Sequence, residues 1–416
     1  MGYLGGIACG PRADAGSRAG PPPLISVKRR IIHGALAVEL LAVAGFAIGY
    51  RSLDLYIYWL GGHAVTHDAR LYTDQLAGHW FTNTPFMAVL FRPVAPVPFV
   101  VIRLGWQLAS AAAFVWACTT TCALAGRRGT APLVLAGSVL EPVWHTIFLG
   151  QVNLFLLALV LYDMRRVSLG RSAGVGIGLA AAVKLTPAVF IVLLLAAGRV
   201  RAAATATATF ALCTALGWLV APDASRLYWL HTFYDTGRVG VRYISNQSPY
   251  GLAVRSFGGA WSPAVPVAIG VAGLTVAAAW ARRQDWLGAT AATGTTGLLV
   301  SPISWTHHWV WFLPALVLLL RDGHRVAALG GYLLFVAAPP WWTPRSLPGS
   351  NAYLLAGVAL LLHLAVRLGR GRPALPFDGG QVERPGEREA GEEAGDEVEP
   401  WAGDTATAAV HDRHQR

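Results

Sequence analysis

The sequence predicts an all-α protein that crosses a membrane many times, and three observations carry that prediction. Apolar residues make up 54% of the chain and Asp, Glu, Lys and Arg only 13%, where a soluble domain carries about a quarter charged residues. Mean hydropathy is +0.47. Arginines and lysines fall between apolar runs rather than within them, the pattern of a polytopic chain whose loops set its orientation. The net charge of +11 is then an orientation signal, not a nucleic-acid surface. Up to Phe377 the chain has 29 Lys and Arg against 11 Asp and Glu; from Asp378 onward the counts are 4 and 11.

Residues 1–27, rich in Gly, Pro, Ala and Arg, are expected to form a disordered cytoplasmic tail. They contain no apolar stretch ending in a cleavage site. Lys28, Arg29 and Arg30 precede a first span, Ile31–Tyr50, and hold the N-terminus inside. A long aromatic outer loop follows and begins Arg51-Ser52-Leu53-Asp54. Phe99–Leu124 returns to Arg127 and Arg128. The runs Pro132–Leu149 and Val152–Tyr162 form a hairpin whose outer turn is Gly150-Gln151-Val152-Asn153.

Residues 172–198 read either as one span that buries Lys184 or as two half-helices broken at Lys184-Leu185-Thr186-Pro187. Pro187 and the cost of a buried lysine favour the break, lining a cavity. Ala202–Val220, Pro263–Ala281, Trp286–Val300, Val310–Leu320, Val326–Ala338 and Ala352–Val366 complete about twelve membrane segments with large extracytoplasmic loops. They form one membrane domain over residues 28–372, with both termini cytoplasmic. Residues 373–416, acidic and rich in Gly and Pro, lack the apolar content for a core and are expected to be disordered.

This topology puts Asp54, Gln151, Asn153, Lys184, Asn246, Gln247, His307 and His308 at the outer ends of segments. Polar groups at membrane depth mark functional sites unless they are paired. His307 and His308 sit within Ser301-Pro302-Ile303-Ser304-Trp305-Thr306-His307-His308-Trp309-Val310-Trp311; an interfacial aromatic belt accounts for Trp305, Trp309 and Trp311 but not for two adjacent histidines. Asp54 suits a general base, because partial burial raises a carboxylate pKa towards neutrality. Capping of the helix that follows is the other reading.

Lys184, Arg92 and Arg255 are candidates for an anionic group, with headgroup contact as the alternative. Gln151, Asn153, Asn246 and Gln247 offer neutral donors and acceptors suited to sugar hydroxyls, or to capping and loop bonds. Tyr228, Trp229 and Tyr250, like Trp305, either stack on sugar faces or sit at the interface. Glu39 and Glu141 lie inside spans and read as protonated or paired within the bundle. Cys118 and Cys122 share a helix face without a His or carboxylate to complete a metal set, so no metal is expected. No nucleotide fingerprint or nucleophile elbow occurs, so an activated donor is expected to come from the membrane.

The ordered set Asp54, Phe81-Thr82-Asn83-Thr84-Pro85-Phe86, Phe91-Arg92-Pro93, Gly150-Gln151-Val152-Asn153, Lys184-Leu185-Thr186-Pro187, Asn246-Gln247-Ser248 and Ser301–Trp309 resembles the actinobacterial polyprenol-phosphate-mannose-dependent α-1,2-mannosyltransferases. These belong to glycosyltransferase family 87 of the GT-C superfamily. The resemblance covers roughly residues 30–370; Asn83 departs from it, standing where an aromatic residue is expected.

It implies a lipid-phosphate sugar donor, no further cofactor, a glycolipid or lipoglycan acceptor, and inverting transfer on the extracytoplasmic side. Asp54 would be the base. His307, His308 and Lys184, with Arg92 and Arg255, would face the donor phosphate. Gln151, Asn153, Asn246, Gln247 and Trp305 would meet sugar. The same family includes polyprenyl-phosphate arabinofuranosyltransferases. A lipid or polysaccharide transporter, the reading from another class, would show polar groups along the depth of several helices or repeated halves.

Overall fold

A computed structural model describes residues 52–65, 70–258 and 262–370, with scattered helical positions between 34 and 45. Most of the expected first span, Glu39 and both tails lie outside the described residues. The rest is helical. Short helices α1 (Leu53–Ala64), α2 (Arg70–Thr73) and α3 (Pro85–Phe91) precede the long α4 (Phe99–Leu124). Then come α5 (Ala131–Ser138), α6 (Glu141–Leu149), α7 (Asn153–Ser168), α8 (Val175–Val183), α9 (Val189–Ala196) and α10 (Val200–Val220). The chain continues through α11 (Pro222–Leu227), α12 (Pro249–Phe257), α13 (Ala264–Arg282), α14 (Trp286–Val300), α15 (Phe312–Arg321), α16 (Arg325–Ala337), α17 (Pro339–Trp342), α18 (Leu347–Ser350) and α19 (Ala352–Gly369).

Among the described residues four helices, α4, α10, α13 and α19, are long and apolar enough to cross a membrane. The pair α5 and α6, bent by 74°, makes a fifth if taken as one span. The helix over Thr186–Ala196 and α16 are apolar but shorter. The four long helices keep most of their surface outside the protein core, as lipid-facing helices do; Leu212 and Leu219 of α10 and Val267 and Val271 of α13 are exposed.

At the centre stands α14, in which every residue from Trp286 to Leu299 is buried. Its sequence is mostly Ala, Gly and Thr, which lets neighbouring backbones approach closely where no hydrophobic effect drives helix association. Thr290, Thr293 and Thr296 return their hydroxyls to carbonyls one turn back. Gly273 of α13 lies so close to Thr296 that a β-carbon there would collide with its side chain.

One end of the bundle is tied by arginines. Arg321 grips both carboxylate oxygens of Asp285, Arg367 pairs with Asp322, and Arg283 donates to the carbonyl of Leu368. Arg127 reaches the Leu320 carbonyl and Arg199 the Gln284 side chain. Five arginines at or beside helix ends therefore meet at one end, leaving the opposite helix ends for the polar residues described next.

Candidate active site

Four departures from regular helix build the site. Gly150, in the left-handed conformation (φ 69°), ends α6, and a β-carbon on it would strike Leu55 of α1. Only glycine permits both the turn and the contact, which places Gln151 against α1. There the Tyr58 hydroxyl donates to Gln151 Oε1 at 2.6 Å. Between α8 and α9 the helix is broken: Lys184 is extended (φ −149°, ψ 127°) and Thr186–Ala188 form a 3₁₀ turn. Pro187 supplies no N–H, and the Thr84 hydroxyl serves the Ala182 carbonyl, with a longer contact to that of Val183. Thr306–Trp311 form another 3₁₀ segment, and Tyr228–Thr232 a π-turn.

These irregular pieces surround a cavity of about 890 Å³, large enough for a glycosyl phosphate and a sugar acceptor. Asp54, Gln151, Lys184, Trp305, His307 and His308 line it. Asp54 is not the helix cap: Ser52 occupies that position in a left-handed conformation, and Asp54 is the second residue of α1. Enclosure by protein pushes the Asp54 carboxyl up to about 6, with the charge of Lys184 and hydrogen bonding from Gln151 pulling the other way. Its side chain is only partly covered because it opens onto the cavity.

The Lys184 ammonium donates to Asn153 Oδ1 at 3.2 Å and contacts His308 Nε2 at 2.8 Å. Burial, followed by the nearby Lys184 charge, holds the His308 imidazole well below its ordinary pKa, so it is neutral. Its bond to the Ile303 backbone leaves Nε2 as the acceptor for Lys184. His307 differs. Burial first, then the neighbouring His308, keeps it neutral as well. Neither of its ring nitrogens has a hydrogen-bond partner, although the residue is 6% exposed and faces the cavity. A buried imidazole with two unpartnered nitrogens keeps hydrogen-bonding capacity that the protein does not use.

The remaining residues singled out by sequence lie elsewhere. Asn153 stands behind the cavity wall and donates to the His307 carbonyl at 3.0 Å. Asn246 and Gln247 are fully buried and braced against backbone. Asn246 bonds the Pro302 carbonyl and the Ser304 N–H; Gln247 bonds the Ser350 carbonyl and the Tyr353 N–H. Asn246 fixes the loop that carries the histidines through its side chain and Gln247 through its N–H on the Ser304 carbonyl, and neither lines the cavity. Arg255 donates to the Asn246 carbonyl at 2.8 Å and to Asn351, outside the lining. Arg92 is exposed on the 3₁₀ turn after α3, also outside it. Backbone carbonyls of a buried loop hold Asn246, Gln247 and Arg255 away from the cavity, and sequence position along a span does not reveal that direction.

Glu141, fully buried, accepts from His145 Nδ1 (2.7 Å), Trp341 Nε1 (3.0 Å) and the Tyr353 hydroxyl (3.0 Å). His145 in turn packs edge-on against His307. This pair supports the histidine segment from behind, and a Glu-x-x-x-His spacing on α6 was its only sequence signal. Asn83, Thr232, Asp235 and Arg238 also line the cavity. Among the described residues no three His, Cys, Asp or Glu side chains gather as a metal set.

The sequence model of glycosyltransferase family 87 matches residues 81–302, the stretch that holds most of this cavity. The chain belongs to glycosyltransferase family 87. It is accordingly a membrane glycosyltransferase. Among its relatives is the polyprenol-phosphate-mannose-dependent alpha-(1-2)-phosphatidylinositol pentamannoside mannosyltransferase of Mycobacterium tuberculosis, 34% identical over 70% of this chain and 73% of its own length. The Mycolicibacterium smegmatis protein of the same description is 31% identical over 80% and 88%. A polyprenol-phosphate-mannose-dependent alpha-(1-2)-phosphatidylinositol mannoside mannosyltransferase of M. tuberculosis is 34% identical over 74% and 82%. No solved structure matches the chain.

Proposed function

We propose that this family 87 enzyme transfers mannose from a polyprenyl-phosphate mannose to a mannoside or lipid-linked glycan, on the extracytoplasmic face, inverting a β-linked donor to an α-1,2 product. The observation that carries the reading is one cavity shared by a carboxyl poised near 6, a lysine ammonium and an unpartnered histidine. The acceptor hydroxyl attacks the anomeric carbon as the bond from that carbon to the phosphate oxygen breaks. Asp54 takes the hydroxyl proton, and polyprenyl phosphate departs with the bonding electrons. Lys184, aimed by His308 and Asn153, and His307 face the charge that develops on the phosphate.

The relatives' names favour mannose over arabinose as the sugar and point to a phosphatidylinositol mannoside as acceptor. The helix set suits a GT-C architecture of about twelve segments once the broken and short helices are counted. The arginine-tied end would face the cytoplasm together with both termini, in keeping with the basic loops. Membranes containing the protein are given purified polyprenyl-phosphate mannose with phosphatidylinositol mannoside, and the product linkage is determined. A new α-1,2 mannoside is expected. Arabinose transfer from the matching arabinose donor, with no mannose transfer, would overturn the sugar assignment.

A further inference from the structure

Besides Lys184 and the histidines, the same cavity holds a second set of polar groups to which transfer chemistry assigns no task. Asn83 is 6% exposed and lines the cavity, and its side-chain Nδ2 meets no protein atom but the Tyr58 phenol. Thr232 is 8% exposed, lines the cavity, and its hydroxyl is without a partner. It closes the π-turn Tyr228–Thr232, a widened backbone that recurs at functional sites. Arg238 is the third member. Its guanidinium lies over the Trp80 ring at 4.7 Å and its Nε donates to Asp235 at 3.1 Å; both Arg238 and Asp235 line the cavity.

One buried side chain holds the three together. Tyr72 donates its hydroxyl to the Asn83 carbonyl at 2.7 Å, packs its ring on Tyr228 at 5.3 Å, and accepts from Arg238 through its own carbonyl. The set also adjoins the reacting end. Asn83 lies near the Tyr58 phenol, and that phenol donates to Gln151 beside Asp54.

We infer that Asn83, Thr232 and the Asp235–Arg238 pair, held by Tyr72, form the subsite for the acceptor sugar. The chemistry fits a neutral polyol. The Asn83 amide and the free Thr232 hydroxyl offer single hydrogen bonds, while the Asp235 carboxylate and the Arg238 guanidinium keep lone pairs and N–H groups beyond those they use on each other. It does not fit a second phosphate, because a site for an anion would not keep a carboxylate on its guanidinium. Asn83, on the Asp54 side, would hold the sugar that reacts; the ion pair would hold the next part of the glycan. The inference rests on the proposed transfer only for the word acceptor, since glycoside binding is measurable without turnover.

The test uses the full chain in detergent with octyl α-mannoside as the probe. The variants are Asn83→Ala, Thr232→Val, Thr232→Ser and Arg238→Gln. Glycoside-induced thermal stabilisation of the wild type is measured with no donor present, and KM for each substrate is measured wherever transfer occurs. Asn83→Ala, Thr232→Val and Arg238→Gln are expected to lose the thermal shift and to raise the acceptor KM about five- to tenfold, the value of one hydrogen bond. Donor KM stays within twofold, and Thr232→Ser restores the wild-type response.

Because the Thr232 hydroxyl makes no protein bond, Thr232→Val melts without glycoside no lower than the wild type. A raised donor KM, an unchanged thermal shift in all three variants, or no shift in the wild type would each overturn the subsite. A wild type that binds glycoside but transfers nothing from polyprenyl-phosphate mannose would instead count against the donor assignment and leave the subsite standing.

Discussion

Asp54→Asn separates catalysis from stability, because the two are expected to move in opposite directions. The substitution keeps the shape of the side chain and removes its capacity to take a proton. General-base catalysis contributes about 10²–10⁴-fold, so turnover is expected to fall by that order. The folded protein holds the Asp54 carboxyl at about 6 against 3.8 for a free aspartate, chiefly through burial. A folded pKa above the unfolded one means stability that is fully present below about 3.8 and lost as pH rises through about 6.

At 1.36 kcal/mol per unit, the ionised Asp54 costs the fold about 3 kcal/mol above that window, an upper bound because the side chain opens onto the cavity. Asparagine has no charge to enclose. Its melting temperature in detergent is expected to exceed that of the wild type at pH 7.5, and the gap is expected to close by pH 4. Wild-type kcat/KM measured from pH 4.5 to 8 falls about tenfold per unit below pH 6, a limb that Asp54→Asn lacks. Turnover above one-tenth of wild type, or a melting temperature lower than wild type at pH 7.5, would refute the reasoning.

Lys184→Met removes the ammonium that His308 and Asn153 aim, and is expected to raise the donor KM at least tenfold with acceptor KM unchanged; equal effects on both would remove Lys184 from the phosphate. Glu141→Ala strands the buried Tyr353 hydroxyl at about 1–3 kcal/mol and the half-buried His145 and Trp341 donors at less, whereas Glu141→Gln still accepts from His145 and Trp341; thermal melts are expected to rank wild type, Gln, Ala in falling order. Thr84→Val takes the hydroxyl from the Ala182 carbonyl and is expected to destabilise the chain by about 1–3 kcal/mol in denaturant titration while lowering turnover through Lys184. In a background freed of other cysteines, Arg345→Cys in intact cells is expected to react with a membrane-impermeant thiol reagent and Arg325→Cys not to; the reverse pattern inverts the orientation.

How much of this was legible in the sequence depends on what each residue signals. The break at Lys184 was legible because Pro187 forbids a helical bond and a lysine at that depth needs a cavity. The bend at residues 139–140 was missed, since Pro132–Leu149 reads as one apolar run despite Glu141 and His145; Pro142 at the start of α6 carried the signal, as proline favours the first helical turn. Asp54, Gln151, Lys184, Trp305, His307 and His308 reach one cavity because each ends a segment on the same side. The same rule applied to Asn246, Gln247, Arg92 and Arg255 gives depth but not direction. Carbonyls of the Tyr243–Ser304 region, unpaired by any helix, turn three of those four inward or aside. Asn83, Thr232 and Arg238 carry no local pattern, and only Tyr72 brings them together.

The cavity residues share one further property, which explains why the site lies where it does. Lys184 is extended, His307 and His308 lie in a 3₁₀ segment, Gln151 follows a left-handed glycine, and Thr232 ends a π-turn. Backbone that leaves the helix at membrane depth exposes N–H and C=O groups, and that is tolerated only where protein or a water-filled cavity receives them. Here Thr84 receives Ala182, Asn153 and Thr146 receive His307, and Asn246 with Ser248 receives Pro302. Those polar residues were therefore required by the breaks before any substrate enters. The groups left over once the backbone is satisfied are Asp54, the Lys184 ammonium, His307, Asn83 and Thr232. They are the ones with bonding capacity to offer a substrate, and under the proposed transfer they divide into a set for the leaving phosphate and a set for the sugar.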